Sequence, residues 1–119
     1  MSDTNNYLET FENPSLNRDY LVEIITPEFT CLCPKTGQPD FAKITLKYQP
    51  NKLCVELKSY KLYMHSFRDQ GAFHEAVTNM IAEDLITLLD PKKLQIHAEF
   101  NVRGGVYTNV TVNHKWDLV

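Results

Sequence analysis

The sequence predicts an α+β domain with one antiparallel four-stranded sheet and its helices on a single face. Three observations lead there. Segments of alternating apolar and polar residues come in pairs near both ends of the chain. Between the pairs, apolar residues recur at three- and four-residue spacing. Proline and glycine fall at the joints. Two hairpins flanking a helical pair give the order β-β-α-α-β-β, and such a set packs as one sheet under one helical layer.

The first eighteen residues, rich in Asn, Asp, Glu, Ser and Thr, read as an N-terminal arm that packs only locally, and residues 19–119 as the domain proper. Asp19 to Thr26, DYLVEIIT, is dense in strand formers, and Pro27 is expected to end it. Phe29 to Ala42, FTCLCPKTGQPDFA, reads as a loop, because Pro34, Gly37 and Pro39 oppose helix and central strand alike. Phe41 to Tyr48 is the antiparallel partner strand, with Phe41, Ile44, Leu46 and Tyr48 at inward or interface positions. After the Pro50–Asn51 turn and a short run at Leu53–Leu57, Tyr60, Tyr63, Met64 and Phe67 mark a short amphipathic helix that Gly71 stops. A longer helix runs from about Phe73 to Leu89 with Val77, Ile81, Leu85 and Leu88 or Leu89 on one stripe. Asp90–Pro91 closes it, since the residue before proline avoids helical geometry. Leu94–Phe100 and Val106–Val112 form the last hairpin around Arg103–Gly104–Gly105.

At 119 residues the chain suits a single domain. Its formal charge of −3, with basic residues interleaved among acids, argues against direct nucleic-acid binding, which needs clustered cations. A small anionic ligand such as a nucleotide cofactor needs only a few. No apolar run reaches the roughly 18–20 residues that span a bilayer, and the polar start MSDTNNYLETFENPS lacks the regions of a signal peptide. A cytoplasmic protein with no membrane partner is expected. The three cysteines, an odd number, then read as reduced thiols.

Cys33 and Asp40 stand seven positions apart around turn-forming residues, so the loop can fold a carboxylate back toward a thiol. A cysteine nucleophile acts as thiolate and needs a setting that lowers its pKa. Cys33 has Lys35 nearby; Cys31 is its rival, with one of the two facing a pocket and the other packing inward. Asp40 suits a general acid or base, or simply a turn. Cys54 fits a small core residue. In Glu56–Tyr63, ELKSYKLY, Lys58 and Lys61 lie one helical step apart, either as solvated lysines or as cations for a phosphorylated cofactor. Glu75 sits where a helix favours an acid and also where a carboxylate could take paired N–H donors from a guanine-like ring, with Phe73 stacking on it. Arg103 with Gly104 and Gly105 is either a plain turn or a phosphate contact. Cys31 and Cys33 lack zinc-ligand spacing, the four histidines are scattered, and no metal is expected.

Together, CPKTGQPDFA at 33–42, ELKSYKLY at 56–63, FHE at 73–75 and RGG at 103–105 closely resemble the 7-cyano-7-deazaguanine reductases of queuosine biosynthesis, in their short, single-module form. The resemblance implies the tunnelling fold, a homo-oligomer of two stacked pentamers with sites between subunits, and NADPH-dependent reduction of a nitrile to a primary amine. It implies Cys33 as the nucleophile forming a thioimide and Asp40 as proton donor. Val55, Glu56, Leu57, Phe73, His74 and Glu75 would bind the substrate 7-cyano-7-deazaguanine, and Lys58, Lys61 and Arg103 the NADPH. Cys31 departs from the family pattern, standing where a small hydroxyl residue is expected. A zinc hydrolase similar to GTP cyclohydrolase I and a noncatalytic purine- or pterin-binding tunnelling-fold protein are the alternatives. The first lacks its metal-ligand spacing here, and the second needs neither Cys33 nor Asp40.

Overall fold

The computed structural model describes residues 7–117. Its elements are β1 (Thr10–Glu12), β2 (Val22–Leu32), β3 (Pro39–Gln49), β4 (Leu53–Val55), α1 (Leu57–His65), a 3-10 turn (Ser66–Asp69), α2 (His74–Leu89), β5 (Lys93–Arg103) and β6 (Val106–His114). The main sheet has the order β2-β3-β5-β6 and is antiparallel throughout, as the paired hairpins require. Both helices cover one face. Ala42, Ile44, Leu46, Tyr48, Ile96 and Ala98 point into that layer, against Val77, Ile81, Leu85 and Leu89 of α2 and Tyr60, Tyr63 and Met64 of α1.

Three details depart from the sequence expectations. Pro27 does not end β2; the strand continues to Leu32 with a register shift between Thr26 and Phe29. Since β2 is a sheet edge, a residue without an N–H is tolerated at that bulge. The shift changes which side chains face inward. β3 itself alternates without a break, so Asp40, 7 % exposed, shares the covered face with Ala42, Ile44, Leu46 and Tyr48, and Phe41 lies on the uncovered face at 47 %.

The second departure is the arm. Among its described residues, Leu8 enters the core, β1 pairs with β4, and Asn13 caps the join through its amide to the Asn51 carbonyl at 2.8 Å. The third is Gly71, which is no left-handed helix stop. It forms a parallel bridge with Leu32, where the Leu32 N–H donates to Gln70 O at 2.9 Å and the Ala72 N–H to Leu32 O at 3.0 Å. The start of α2 is thereby fastened to the end of β2.

The remaining joints follow from local chemistry. Glu56 caps α1, its carboxylate accepting the Ser59 and Lys58 N–H groups at 2.7 and 2.9 Å. Asp90 ends α2 in the left-handed region, its N–H donating to the Ile86 carbonyl. Gly104 and Gly105, with φ of 59° and 81°, supply the two positive values that a tight hairpin turn between Arg103 and Val106 demands.

Candidate active site

The chain between β2 and β3 is short and self-bonded. The Cys33 N–H donates to Gln38 O and the Gly37 N–H to Cys33 O, both at 2.8 Å, with Gly37 at φ 74° making the reversal. Pro39 begins β3, the strand position where its missing N–H is tolerated. The half-buried Cys33 thiol is turned toward the Thr36 hydroxyl and the Thr36 and Lys35 amides. Those hydrogen bonds, the Thr36 hydroxyl first, hold its pKa below the ordinary 9.0.

Cys31 is fully buried, and its thiol is pushed up to about 11, first by burial and then by the charges of Asp40 and Cys33. Residues two apart on a strand share a face, so alternation does not separate the two cysteines. The end of β2 at Leu32 does, by placing Cys31 in the packed layer and Cys33 in the turn beyond it.

Asp40 pairs with Cys31 across the strands, and its side chain is 8 % exposed. Oδ1 accepts from Arg103 Nη1 at 2.9 Å, Oδ2 lies 3.3 Å from His74 Nε2, and the backbone carbonyl accepts the Thr30 hydroxyl at 2.8 Å. His74 is stacked flat on Phe100, ring centres 3.7 Å apart and planes within 2°. One buried carboxyl is therefore gripped from α2 and from β5 while the thiol waits in the adjoining turn. Such a set can add a nucleophile to an electrophilic carbon and protonate the atom that gains charge.

Around it, Phe73 is exposed at the start of α2 and Glu75 is exposed in its first turn. Arg103 is already engaged by Asp40, Pro39 O at 3.0 Å and Gln38 Oε1 at 3.4 Å. Val55 is buried, Glu56 is committed to capping α1, and Leu57 stands out at 63 % exposure. Lys58 and Lys61 are exposed on α1. Lys61 borders an apolar groove of about 420 Å³ between α1 and β2, lined also by Ile24, Phe29, Leu57 and Met64.

The candidates fall into two groups. Cys33, Asp40, His74 and Arg103 gather at one end of β3. Val55 to Lys58 lie toward the other, where the Val55 N–H donates to the Tyr48 hydroxyl at 3.0 Å. At about 3.3 Å per residue, Asp40 and Tyr48 are roughly 26 Å apart along the strand. Sequence reading missed Thr36 and Phe100. Thr36 lay in plain view inside the loop motif; Phe100 is recognisable only once β5 is paired with β3.

The family model described as QueF-like protein matches residues 39–117. A curated NADPH-dependent 7-cyano-7-deazaguanine reductase from Thioalkalivibrio sulfidiphilus is 64 % identical over 108 residues, covering 91 % of this chain and 84 % of its own length. The chain belongs to the QueF-like family. A second QueF-like relative, the reductase of the same description from Nitrosococcus oceani, is 59 % identical over 119 residues, covering 98 % of this chain and 92 % of its own. The crystal structure of the archaeosine synthase QueF-Like in its apo form superposes with a TM-score of 0.76 at 18 % identity, covering 82 % of this chain and 96 % of that one. At that identity the likeness speaks for the fold, a QueF-like tunnelling fold. Among the described residues, no three His, Cys, Asp or Glu side chains gather as a metal site, and no helix is long and apolar enough to cross a membrane.

Proposed function

We propose that this chain is an NADPH-dependent nitrile reductase that converts 7-cyano-7-deazaguanine to 7-aminomethyl-7-deazaguanine in the cytoplasm, as a step of queuosine biosynthesis. The observation that carries the reading is a thiol of lowered pKa in the turn that leads directly to a buried, doubly held carboxyl. The relatives' descriptions supply the substrate and the reductant.

In this mechanism the Cys33 thiolate attacks the nitrile carbon. The S–C bond forms, one C≡N π bond opens, and the nitrogen takes the proton of Asp40, leaving a thioimide and a carboxylate. Covalent capture turns a poorly electrophilic nitrile into a more reducible C=N group. NADPH, when bound, would supply one hydride to each of two reductions. Between them the C–S bond breaks and the Cys33 thiolate departs, and a second proton, from solvent, completes the amine nitrogen. Glu75 holds the deazaguanine edge, Phe73 covers the ring, and His74, fixed by Phe100, faces Asp40 Oδ2. Val55, Glu56 and Leu57 belong to the substrate-lining segment, with Glu56 acting through the helix start it caps. The residues present fit the reductant: Lys58 and Lys61 offer exposed cations for its phosphates beside an apolar groove that suits a planar ring.

Because the two groups of residues lie at opposite ends of β3, one complete site draws on two copies of the chain. A homo-oligomer of two stacked pentameric rings accommodates this.

The test is NADPH oxidation with the cyano substrate. Two NADPH are expected per amine formed, with a thioimide mass adduct on Cys33. Cys33→Ala is expected to show neither adduct nor turnover, and Asp40→Asn to lose roughly 10²- to 10⁴-fold in rate. Normal turnover by Cys33→Ala would overturn the mechanism.

A further inference from the structure

Arg103 is positioned unlike a cation reserved for a cofactor. Its side chain turns back from the end of β5 onto the segment that carries the proton donor. Nη1 donates to the Pro39 carbonyl at 3.0 Å and to Asp40 Oδ1 at 2.9 Å, while Nη2 lies 3.4 Å from Gln38 Oε1. Three consecutive residues of the chain leading into β3 are held by one planar fork, the geometry in which arginine exceeds lysine.

The groups facing Asp40 are Arg103 from β5, His74 from α2, Cys31 from β2 and Cys33 from the adjoining turn. Of these, Arg103 alone has no acceptor to offer. With its N–H on Oδ1, a proton on the carboxyl is confined to Oδ2. When that proton leaves for the nitrile nitrogen, the guanidinium is already in place to stabilise the carboxylate that remains, with no reorganisation at the moment of transfer.

We infer that Arg103 is a positioning residue for Asp40. It fixes which oxygen carries the proton and stabilises the carboxylate after transfer, in place of the cofactor-phosphate role that the family resemblance implied. The inference rests on the reading of Cys33 and Asp40 as nucleophile and proton donor.

Thioimide formation consumes no hydride, so it can be followed with the cyano substrate in the absence of NADPH, by stopped-flow absorbance and by the mass of quenched protein. The S–C bond forms and Asp40 gives its proton to nitrogen, whatever happens at the cofactor site. Arg103→Met and Arg103→Gln, each checked against the wild-type melting temperature, are expected to form the adduct at least tenfold more slowly, the scale of a misplaced general acid. In an Asp40→Asn background, Arg103→Met is expected to change the rate less than twofold, because its effect runs through the carboxyl.

Adduct formation by both single variants within tenfold of the wild-type rate, or a further loss of more than twofold in the Asp40→Asn background, overturns the positioning role. A raised KM for NADPH with adduct formation unchanged assigns Arg103 to the cofactor instead. Failure of the wild-type chain to form any adduct defeats the underlying reading of Cys33, a result distinct from the other two.

Discussion

Alkylation tests which of the two neighbouring cysteines is the nucleophile. At pH 7 a thiol titrating at the ordinary 9.0 is roughly 1 % thiolate, and Cys33, held below that value, exceeds this fraction. Cys31, at about 11, is roughly 0.01 % thiolate, so the reactive populations differ by at least about 100-fold. Burial widens the gap, since Cys31 has no exposed surface. Native protein treated briefly with iodoacetamide at pH 7 and digested for mass spectrometry is expected to carry label on Cys33 at least 100 times faster than on Cys31. The Cys33 rate should rise with pH to a midpoint below 9.0. Cys33→Ala should leave the native chain nearly unlabelled, because Cys54 is buried as well. Labelling of Cys31 within tenfold of Cys33, in protein shown to be folded, would refute the assignment and return Cys31 as the nucleophile.

Three further outcomes are expected. Phe100→Leu removes the flat stack under His74, an interaction of about 0.5–1.5 kcal/mol; turnover should fall roughly 2- to 13-fold, and Phe100→Tyr should restore it, which steady-state kinetics of the two variants will show. Lys58→Ala and Lys61→Ala should each raise the KM for NADPH about tenfold, as expected for a lost charge-assisted hydrogen bond, with a smaller change in kcat; an unchanged KM removes α1 from the cofactor site. Glu56 has its folded pKa lowered from 4.5, first by the Lys58 amide and then by that of Ser59. Its capping therefore stabilises the fold above about pH 4.5 and is lost as pH falls through the lower folded value. Glu56→Gln should flatten the acid side of a melting-temperature profile, and an unaltered profile would show that the cap contributes nothing.

Much of the fold was legible because its signals are local. The α2 stripe, the Asp90–Pro91 stop and the Gly104–Gly105 turn each depend on residues within one helical turn or one hairpin. The bulge at Pro27 was not legible, because its tolerance depends on β2 being an edge, a property of the assembled sheet. Phe41 needed no pairing to place: alternation back from Tyr48, Leu46 and Ile44 assigns Asp40 to the covered face and Phe41 to the other. At the site, Cys33 and Asp40 stood out as a pair on one loop. The grips on Asp40 did not, since His74 and Arg103 arrive from elements 34 and 63 residues away. Glu56 was singled out for substrate, while the structure shows its carboxylate occupied by backbone amides, a capping duty that the sequence Glu-x-x-Ser does not announce.

The bridge between Leu32 and Gly71 has a consequence for reach. Cys33, the nucleophile proposed above, follows Leu32 by one residue, and Phe73 and Glu75 at the start of α2 follow Gly71 by two and four. Two backbone hydrogen bonds thus fix the spacing between the start of α2 and the Cys33 turn, which under the proposed roles makes them a ruler between the ring and its substituent. Side-chain substitutions leave that ruler untouched; inserting one residue after Gln70 resets it. Under the proposed roles of Cys33, Phe73 and Glu75, the set of ring substituents that the thiol can meet is written into the main chain.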